Sequence, residues 1–414
     1  MLRHQSLRWR AAALALGALL AVACHRESPA VRTSIGTPVI LISVDTLRSD
    51  HLPVYGYAGV KTPAIDALAA DGVVFERAYS NVPLTLPSHT SILTGLLPQE
   101  HGVRNNIGYI LDRTKHPTIA ALLHDAGYTT GGFISSYVLR GNAGLSSGFD
   151  VYDDAIGTEA GAALGRLQRP GAATLSVARA WVDQAREKPF FLFFHIYEPH
   201  GPYEAPEPFR SQVANPYDAE IAASDDVVGK LVASLKADGV YDKALILFLS
   251  DHGEGLGDHG EAEHGVFLYR EALQVPLIVK LPNGERKGDR VRAPVELIDI
   301  VPTIASVTGA KLPPGSRGIN LLDANALAAP RSLYAETLYP RIHLGWSELR
   351  SLMEDRHHFI EAPKPELYDV VADPAESANV LGEQRRVYAS IRAKLDTFGK
   401  EIVAPQNVDP DEAA

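Results

Sequence analysis

Four short runs are apolar almost throughout: Pro38–Val44 (Pro-Val-Ile-Leu-Ile-Ser-Val), Phe190–Phe194 (Phe-Phe-Leu-Phe-Phe), Ala244–Leu249 (Ala-Leu-Ile-Leu-Phe-Leu) and Val275–Val279 (Val-Pro-Leu-Ile-Val). A strand with one wet face alternates apolar and polar residues. A strand that does not alternate must be covered on both faces, as in a mostly parallel sheet packed between helices. The stretches between these runs read as helices: Thr62–Asp71, Thr118–Ala126, Ala172–Glu187, Ala219–Ala237 and Ile298–Val307. This alternation predicts a large αβα sandwich with a mostly parallel central sheet over residues 38–330. After about Pro330 the texture changes. Leu333–Glu336, Glu348–Met353, His357–Glu361 and Leu367–Val371 read as short antiparallel strands, followed by a helix over Glu383–Phe398. A small C-terminal α+β subdomain over 331–402 and an acidic tail over 403–414 are therefore expected.

Composition excludes several classes of function. The 414 residues carry 39 Lys+Arg against 50 Asp+Glu, a net charge of −11, with no basic run. Such a chain has no electrostatic footprint for nucleic acid, and an anionic substrate must be captured by a local site. The N-terminus has Arg3, Arg8 and Arg10 ahead of the apolar run Ala11–Ala23, and then the single cysteine of the chain, Cys24. A basic head, a short apolar core and small residues before the cut describe a secretory leader. Leu20-Ala-Val-Ala-Cys24 resembles a bacterial lipobox, so residues 1–24 are expected to be a leader ending in a lipid anchor at Cys24. Residues 25–37 follow as a polar tether. This reading implies a cell-envelope protein of a bacterium whose membrane contact is only through that anchor. It also leaves no internal disulfide and no Cys-built metal site in the mature chain.

In open α/β sheets ligands sit where loops leave the carboxyl ends of strands. Asp45 follows the first run, His195-Ile-Tyr-Glu198-Pro-His200 follows the second, and Ser250-Asp251-His252-Gly-Glu254 follows the third. Carboxylates and imidazoles at three such ends form a plausible ligand set for a borderline divalent metal. A lone Asp after a strand more often caps the next turn. Adjacent Asp251 and His252, with His259 and His264 close behind, are harder to explain by capping.

These residues carry a resemblance. Ser43-Val-Asp45-Thr-Leu-Arg48-Ser-Asp50-His51, Thr85-Leu-Pro87-Ser88-His89 through Thr94-Gly95, and Gln99-Glu-His101-Gly are similar to motifs of the sulfatase family in the alkaline phosphatase superfamily. So are Glu198-Pro-His200-Gly-Pro-Tyr203 and the block from Ser250 to His264. The motifs fall in the family's order over roughly 38–310, which a single motif could not establish. The resemblance implies that Asp45, Asp251 and His252 hold a divalent cation with Thr85 as nucleophile beside it. It also makes Glu198 and His264 candidates for further metal ligation, and His89, His101 and His200 candidates for contacting or protonating the ester, with His195 and His259 less strongly implicated. One or two ions are expected, zinc or manganese rather than calcium.

The chain departs from the family at the nucleophile. Sulfatases place a Cys or Ser there that becomes formylglycine, whereas this chain has Thr85, a secondary alcohol. It has His89 where the family has Arg and Thr46 where many members have a second Asp. The expected activity is hydrolysis of phosphate esters ahead of sulfate esters, on a small-molecule, glycan or lipid substrate. The competing readings are a phospho-headgroup transferase acting on envelope glycans and a non-catalytic surface lipoprotein of the same fold. Tyr339, Pro340, Arg341, His343 and Trp346 form an aromatic and basic cluster suited either to reading the leaving group or to clasping the subdomains together.

Overall fold

The protein is described by a computed structural model covering residues 34–157, 166–313 and 315–399. The leader, Cys24, residues 25–33 of the tether and the acidic tail lie outside the described residues.

The apolar runs become the centre of a nine-stranded sheet. The strands are β1 (Val39–Val44), β2 (Val73–Tyr79), β3 (Thr129–Phe133), β4 (Val151–Asp153), β5 (Phe190–Ile196), β6 (Leu245–Leu249), β7 (Gln274–Lys280), β8 (Arg290–Val291) and β9 (Val295–Glu296). They lie in the order β4-β3-β5-β1-β6-β7-β2-β8, with β9 also paired to β2. β1 runs parallel to both β5 and β6, which brings Val44 beside Ile196 and Ser43 beside Leu249. β7 is antiparallel to both of its neighbours. Every side chain of β1, β5 and β6 is buried, as their unbroken apolar sequence requires.

Helices Pro63–Asp71, Gly171–Ala185 and Pro216–Ala237 cover one face. Their starts follow local chemistry. Asn215 caps the last of them by accepting the amides of Tyr217 and Asp218, and Pro216 occupies the first turn, where its missing N–H costs nothing. Thr118 accepts the Ala121 amide at 3.2 Å to start helix Ile119–Asp125.

β3, which carries no apolar run, reads Thr-Thr-Gly-Gly-Phe. A Cβ on Gly131 would come within 2.7 Å of the Trp181 ring, and one on Gly132 within 2.6 Å of Tyr152. The two glycines let large aromatic groups supply the packing that side chains of the strand would otherwise provide.

The C-terminal sheet is an antiparallel meander of β10 (Leu333–Thr337), β11 (Leu349–Met353), β12 (His357–Glu361) and β13 (Glu366–Asp369), followed by helix Arg385–Leu395. Tyr334, Leu352, Phe359, Leu367, Ile391 and Leu395 form its core, which also takes in Leu97 and Ile298 from the larger part.

Candidate active site

The register of β1 and β6 sets the geometry. Asp45 leaves β1 and Asp251-His252 leave β6, so adjacent parallel strands deliver three donors to one point. One ligand atom from each of Asp45, Asp251 and His252 lies within 4.8 Å of the others, and all three residues are fully buried. His252 Nδ1 donates to the Gly253 carbonyl at 3.0 Å. In the neutral ring this leaves the Nε2 lone pair facing inward, 3.3 Å from Asp251 Oδ2 and 3.7 Å from Asp45 Oδ1. Burial, with His264 second, holds the His252 imidazole well below its ordinary value, so it is neutral.

Thr46 follows Asp45 in the left-handed region at φ 54°, which is strained for a β-branched residue. Its amide reaches Asp251 Oδ1 at 3.4 Å, and its hydroxyl donates to the Pro199 carbonyl at 3.1 Å. The hydroxyl is therefore turned away from the donor cluster.

Thr85 is the first residue of helix Thr85–Thr94, which is buried throughout. Its Oγ1 sits 3.3 Å from His252 Nε2 and 3.5 Å from Asp45 Oδ1, with a helix start behind it. The Leu86 amide is fixed by Asn106 Oδ1 at 2.9 Å.

His89 and His101 take positions other than those expected of groups that touch substrate. His89 Nδ1 donates to the Thr85 carbonyl at 2.8 Å and lies 3.4 Å from Asp251 Oδ2, and its Nε2 accepts from Ser43 Oγ at 2.9 Å, so both nitrogens are engaged between the helix start, β1 and the donor cluster. His101 lies beyond the far half of the same helix. Its Nδ1 accepts the Val103 amide and its Nε2 meets Ser91 Oγ at 3.0 Å, an arrangement that pins a loop.

Glu198 is also drawn elsewhere. Both of its carboxylate oxygens accept the Gly171 amide at 3.1 Å, at the start of helix Gly171–Ala185, so the carboxylate serves as a cap and not as a metal donor. His259 stacks on Tyr269 at 3.8 Å and pairs with Glu271, away from the cluster.

His264 and His200 do face the site. The His264 ring lies 4.4 Å from that of His252 and 5.1 Å from that of His200, centroid to centroid. Burial opposes a charge on His264, but the Glu254 carboxylate 3.0 Å from its Nδ1, with Asp45 and Asp251 adding to it, more than offsets this and pushes it up to about 9. His264 is therefore an imidazolium at neutral pH. His200 stacks on Tyr197 and gives its Nδ1 proton to the Gly201 carbonyl, and burial drops it to about 4.

Glu254 and Tyr203 fall within the motifs, but nothing in the sequence assigns either of them a role. Glu254 is fully buried and joins His264 to the Tyr203 hydroxyl, which donates to it at 3.0 Å. An acid two residues after a metal-type histidine was the available signal. His195 completes the floor. Its Nδ1 accepts the Ser135 amide, so its Nε2 proton points toward Asp45 Oδ2 at 3.5 Å.

Two features fit the cluster to a divalent cation. Asp45 Oδ2 and Asp251 Oδ2 are buried with no hydrogen-bond partner, and burial pushes both carboxyl groups above the ordinary carboxylate range. Among the described residues their ion pairs are to histidines alone. Two buried carboxylates and a neutral imidazole, with one imidazolium, His264, nearby and an unbonded oxygen on each carboxylate, make a donor set for a borderline divalent ion. Among the described residues this is also the one group of three such donors.

Comparison with known proteins agrees with the geometry. Residues 37–310 match the sulfatase family model, and 257–401 match that of the N-sulphoglucosamine sulphohydrolase C-terminal region. An ulvan-active sulfatase of Formosa agariphila is 26% identical, with 88% of this chain and 82% of that protein aligned. Two solved structures share the fold. One, bound to its substrate D-glucosamine-2-N,6-O-disulfate, has a TM-score of 0.74 at 19% identity and covers 91% of this chain and 100% of that one. The other, a phosphonate monoester hydrolase of Agrobacterium radiobacter, has a TM-score of 0.71 at 22% identity and covers 87% and 94%.

Proposed function

The chain belongs to the sulfatase family of the alkaline phosphatase superfamily, a family of ester hydrolases, and from that premise we propose that it is a metal-dependent hydrolase with Thr85 as nucleophile, cleaving phosphate esters ahead of sulfate esters. The observation that carries this reading is the Thr85 hydroxyl, within 3.5 Å of both His252 and Asp45, at a position where no formylglycine can form.

Asp45, Asp251 and His252 would hold one zinc or manganese ion, which lowers the pKa of a hydroxyl beside it and screens the charge of the ester. The chain's own groups supply the rest. Once its proton has passed to solvent, the Thr85 oxygen attacks phosphorus in line with the bond to the alcohol. That bond breaks, and the departing oxygen takes the proton of His264, held charged by Glu254. Water then attacks the Thr85 phosphoester from the opposite side, gives its proton to the now neutral His264 and displaces the Thr85 oxygen, which restores the starting state. The amino end of helix Thr85–Thr94 and the imidazolium of His264 favour a dianionic centre, and a phosphoryl transition state keeps more charge on its outer oxygens than a sulfuryl one. A threonine sulfate ester has no aldehyde to release it and should turn over slowly.

The leader ending at Cys24 supports placement in a bacterial cell envelope. The phospho-headgroup transferase reading shares the Thr85 intermediate and differs only in the acceptor.

The test is a panel of phosphate monoesters, diesters and the matched sulfates with zinc, manganese or calcium, combined with rapid quenching and mass spectrometry of the peptide containing Thr85. Phosphorylated Thr85 and faster phosphate cleavage are expected. Efficient sulfate cleavage by a chain with unmodified Thr85 overturns the preference, and transfer to an added glycan in place of water selects the transferase.

A further inference from the structure

His195 has no part in the reaction steps, yet the sheet places it directly beneath the donor cluster. β5 runs beside β1 with His195 opposite Ser43, and its ring lies 5.0 Å from that of His89, centroid to centroid. The residue is fully buried. Its Nδ1 accepts the Ser135 amide at 3.3 Å, which puts the ring proton on Nε2. His195 Nε2 and Asp45 Oδ2 are both buried without a hydrogen-bond partner, and they face each other at 3.5 Å. A donor therefore stands against one oxygen of this carboxylate. The other, Oδ1, is turned to Thr85 Oγ1 at 3.5 Å and to His252 Nε2 at 3.7 Å.

Asp251 is divided in the same way. Its Oδ1 meets the Thr46 amide at 3.4 Å, and its Oδ2 lies 3.3 Å from His252 Nε2. The strained backbone of Thr46, at φ 54°, is what aims that amide, and the bond from its hydroxyl to the Pro199 carbonyl holds it there. His89 Nδ1 also comes within 3.4 Å of Asp251 Oδ2, but its proton goes to the Thr85 carbonyl at 2.8 Å.

We propose that His195 is a positioning residue which, with the Thr46 amide, leaves one oxygen of each carboxylate to the ion and so selects zinc over calcium. The atoms left open are Asp45 Oδ1, Asp251 Oδ2, His252 Nε2 and Thr85 Oγ1. Such a set suits tetrahedral zinc. Calcium takes about six to eight oxygens, often both from one carboxylate, and is starved here. Without the N–H of His195, Asp45 is free to turn both oxygens to the ion. The inference rests on metal binding at this cluster and is independent of the nucleophile and of the ester.

The experiment measures zinc and calcium affinities by calorimetry, without substrate, for the parent chain, His195→Asn and His195→Gln. The Asn side chain can keep the bond from Ser135 but is too short to reach Asp45, whereas Gln can carry an N–H to the place of Nε2. His195→Asn is expected to lower the preference for zinc over calcium about tenfold, and His195→Gln to stay within about threefold of the parent. An equal preference in all three chains, an equal shift in both variants, or a shift in His195→Gln alone overturns the role of His195. X-ray absorption of the zinc-loaded parent reads the same point without any variant. Tetrahedral zinc with one oxygen from each carboxylate is expected, and a carboxylate bound through both oxygens overturns the proposal. A parent that binds neither ion overturns the metal reading itself, whereas a parent that binds zinc with variants that do not differ from each other overturns His195 alone.

Discussion

Asp45 and Asp251 at the strand ends of the large sheet and Glu336 on β10 of the small one are all buried, but their charges are handled in opposite ways. Glu336 receives a two-pronged Arg104 guanidinium at 2.6 Å through both oxygens, together with the Tyr334 hydroxyl at 2.8 Å. Nearby, Glu296 and Asp299 share Arg331. Asp45 and Asp251 have only neutral imidazoles and His264 around them, and each keeps an oxygen with no hydrogen bond. A fully partnered buried carboxylate is part of the scaffold, joining the loop after His101 to the C-terminal sheet. Two carboxylates that share one imidazolium, each with an unbonded oxygen, leave a charge that an ion can neutralise. The difference lies in the partner, since burial is the same in both regions.

The comparison is sharpened most by Thr85→Ala, which removes one hydroxyl from the uncompensated region. The rate should fall by about four orders of magnitude or more with melting unchanged, as for the loss of other nucleophiles. Retention of more than about a hundredth of the rate removes Thr85 from the role. In the partnered region, Arg104→Met should cost about 3–5 kcal/mol in denaturant unfolding, because Glu336 is left charged and buried, while the double change Arg104→Met with Glu336→Leu should recover most of it. If the single change is harmless, the pair is not the clamp that its geometry suggests.

Saturating zinc or manganese at about a hundred times its dissociation constant should raise stability by about 2.7 kcal/mol in thermal unfolding, and Asp251→Asn should abolish the gain. Full metal occupancy in that variant would mean that Asp251 acts on substrate. The smallest effect concerns pH. Burial pushes Asp45 up to about 7 in the folded chain, so in the metal-free protein this group holds more of its proton than it does in the unfolded chain between about pH 4 and 7. The contribution of Asp45, read as the stability of the metal-free parent relative to Asp45→Asn, should therefore fall as pH rises through that window. A parent that gains stability relative to Asp45→Asn over the same range would show that the carboxylate is neutralised by the protein itself.

Much of this was legible before any coordinates. Unbroken apolar runs can only be strands covered on both faces, so β1, β5, β6 and β7, the alternating helices and the C-terminal meander follow from pattern alone. β3 escaped because Gly131 and Gly132 leave the packing to Trp181 and Tyr152, which belong to other segments. Asp45, Asp251, His252 and Thr85 were readable because each sits immediately beside a strand end or a helix start, where chain position nearly fixes direction.

Histidines were not readable in the same way. A ring nitrogen is committed by whatever lies across from it, and only the folded chain places Ser43 opposite His89, Ser91 opposite His101 and Glu254 opposite His264. Glu198 was likewise decided by the amide of Gly171, 27 residues away in sequence. The sequence by itself determined the layers, the order of the segments that meet at the donor cluster and the hydroxyl at the helix start beside it, since these depend on periodicity and on what adjoins a strand. The tertiary structure alone decided which buried charges are paired and which imidazoles are free, because those depend on partners that the chain brings together only after it has closed.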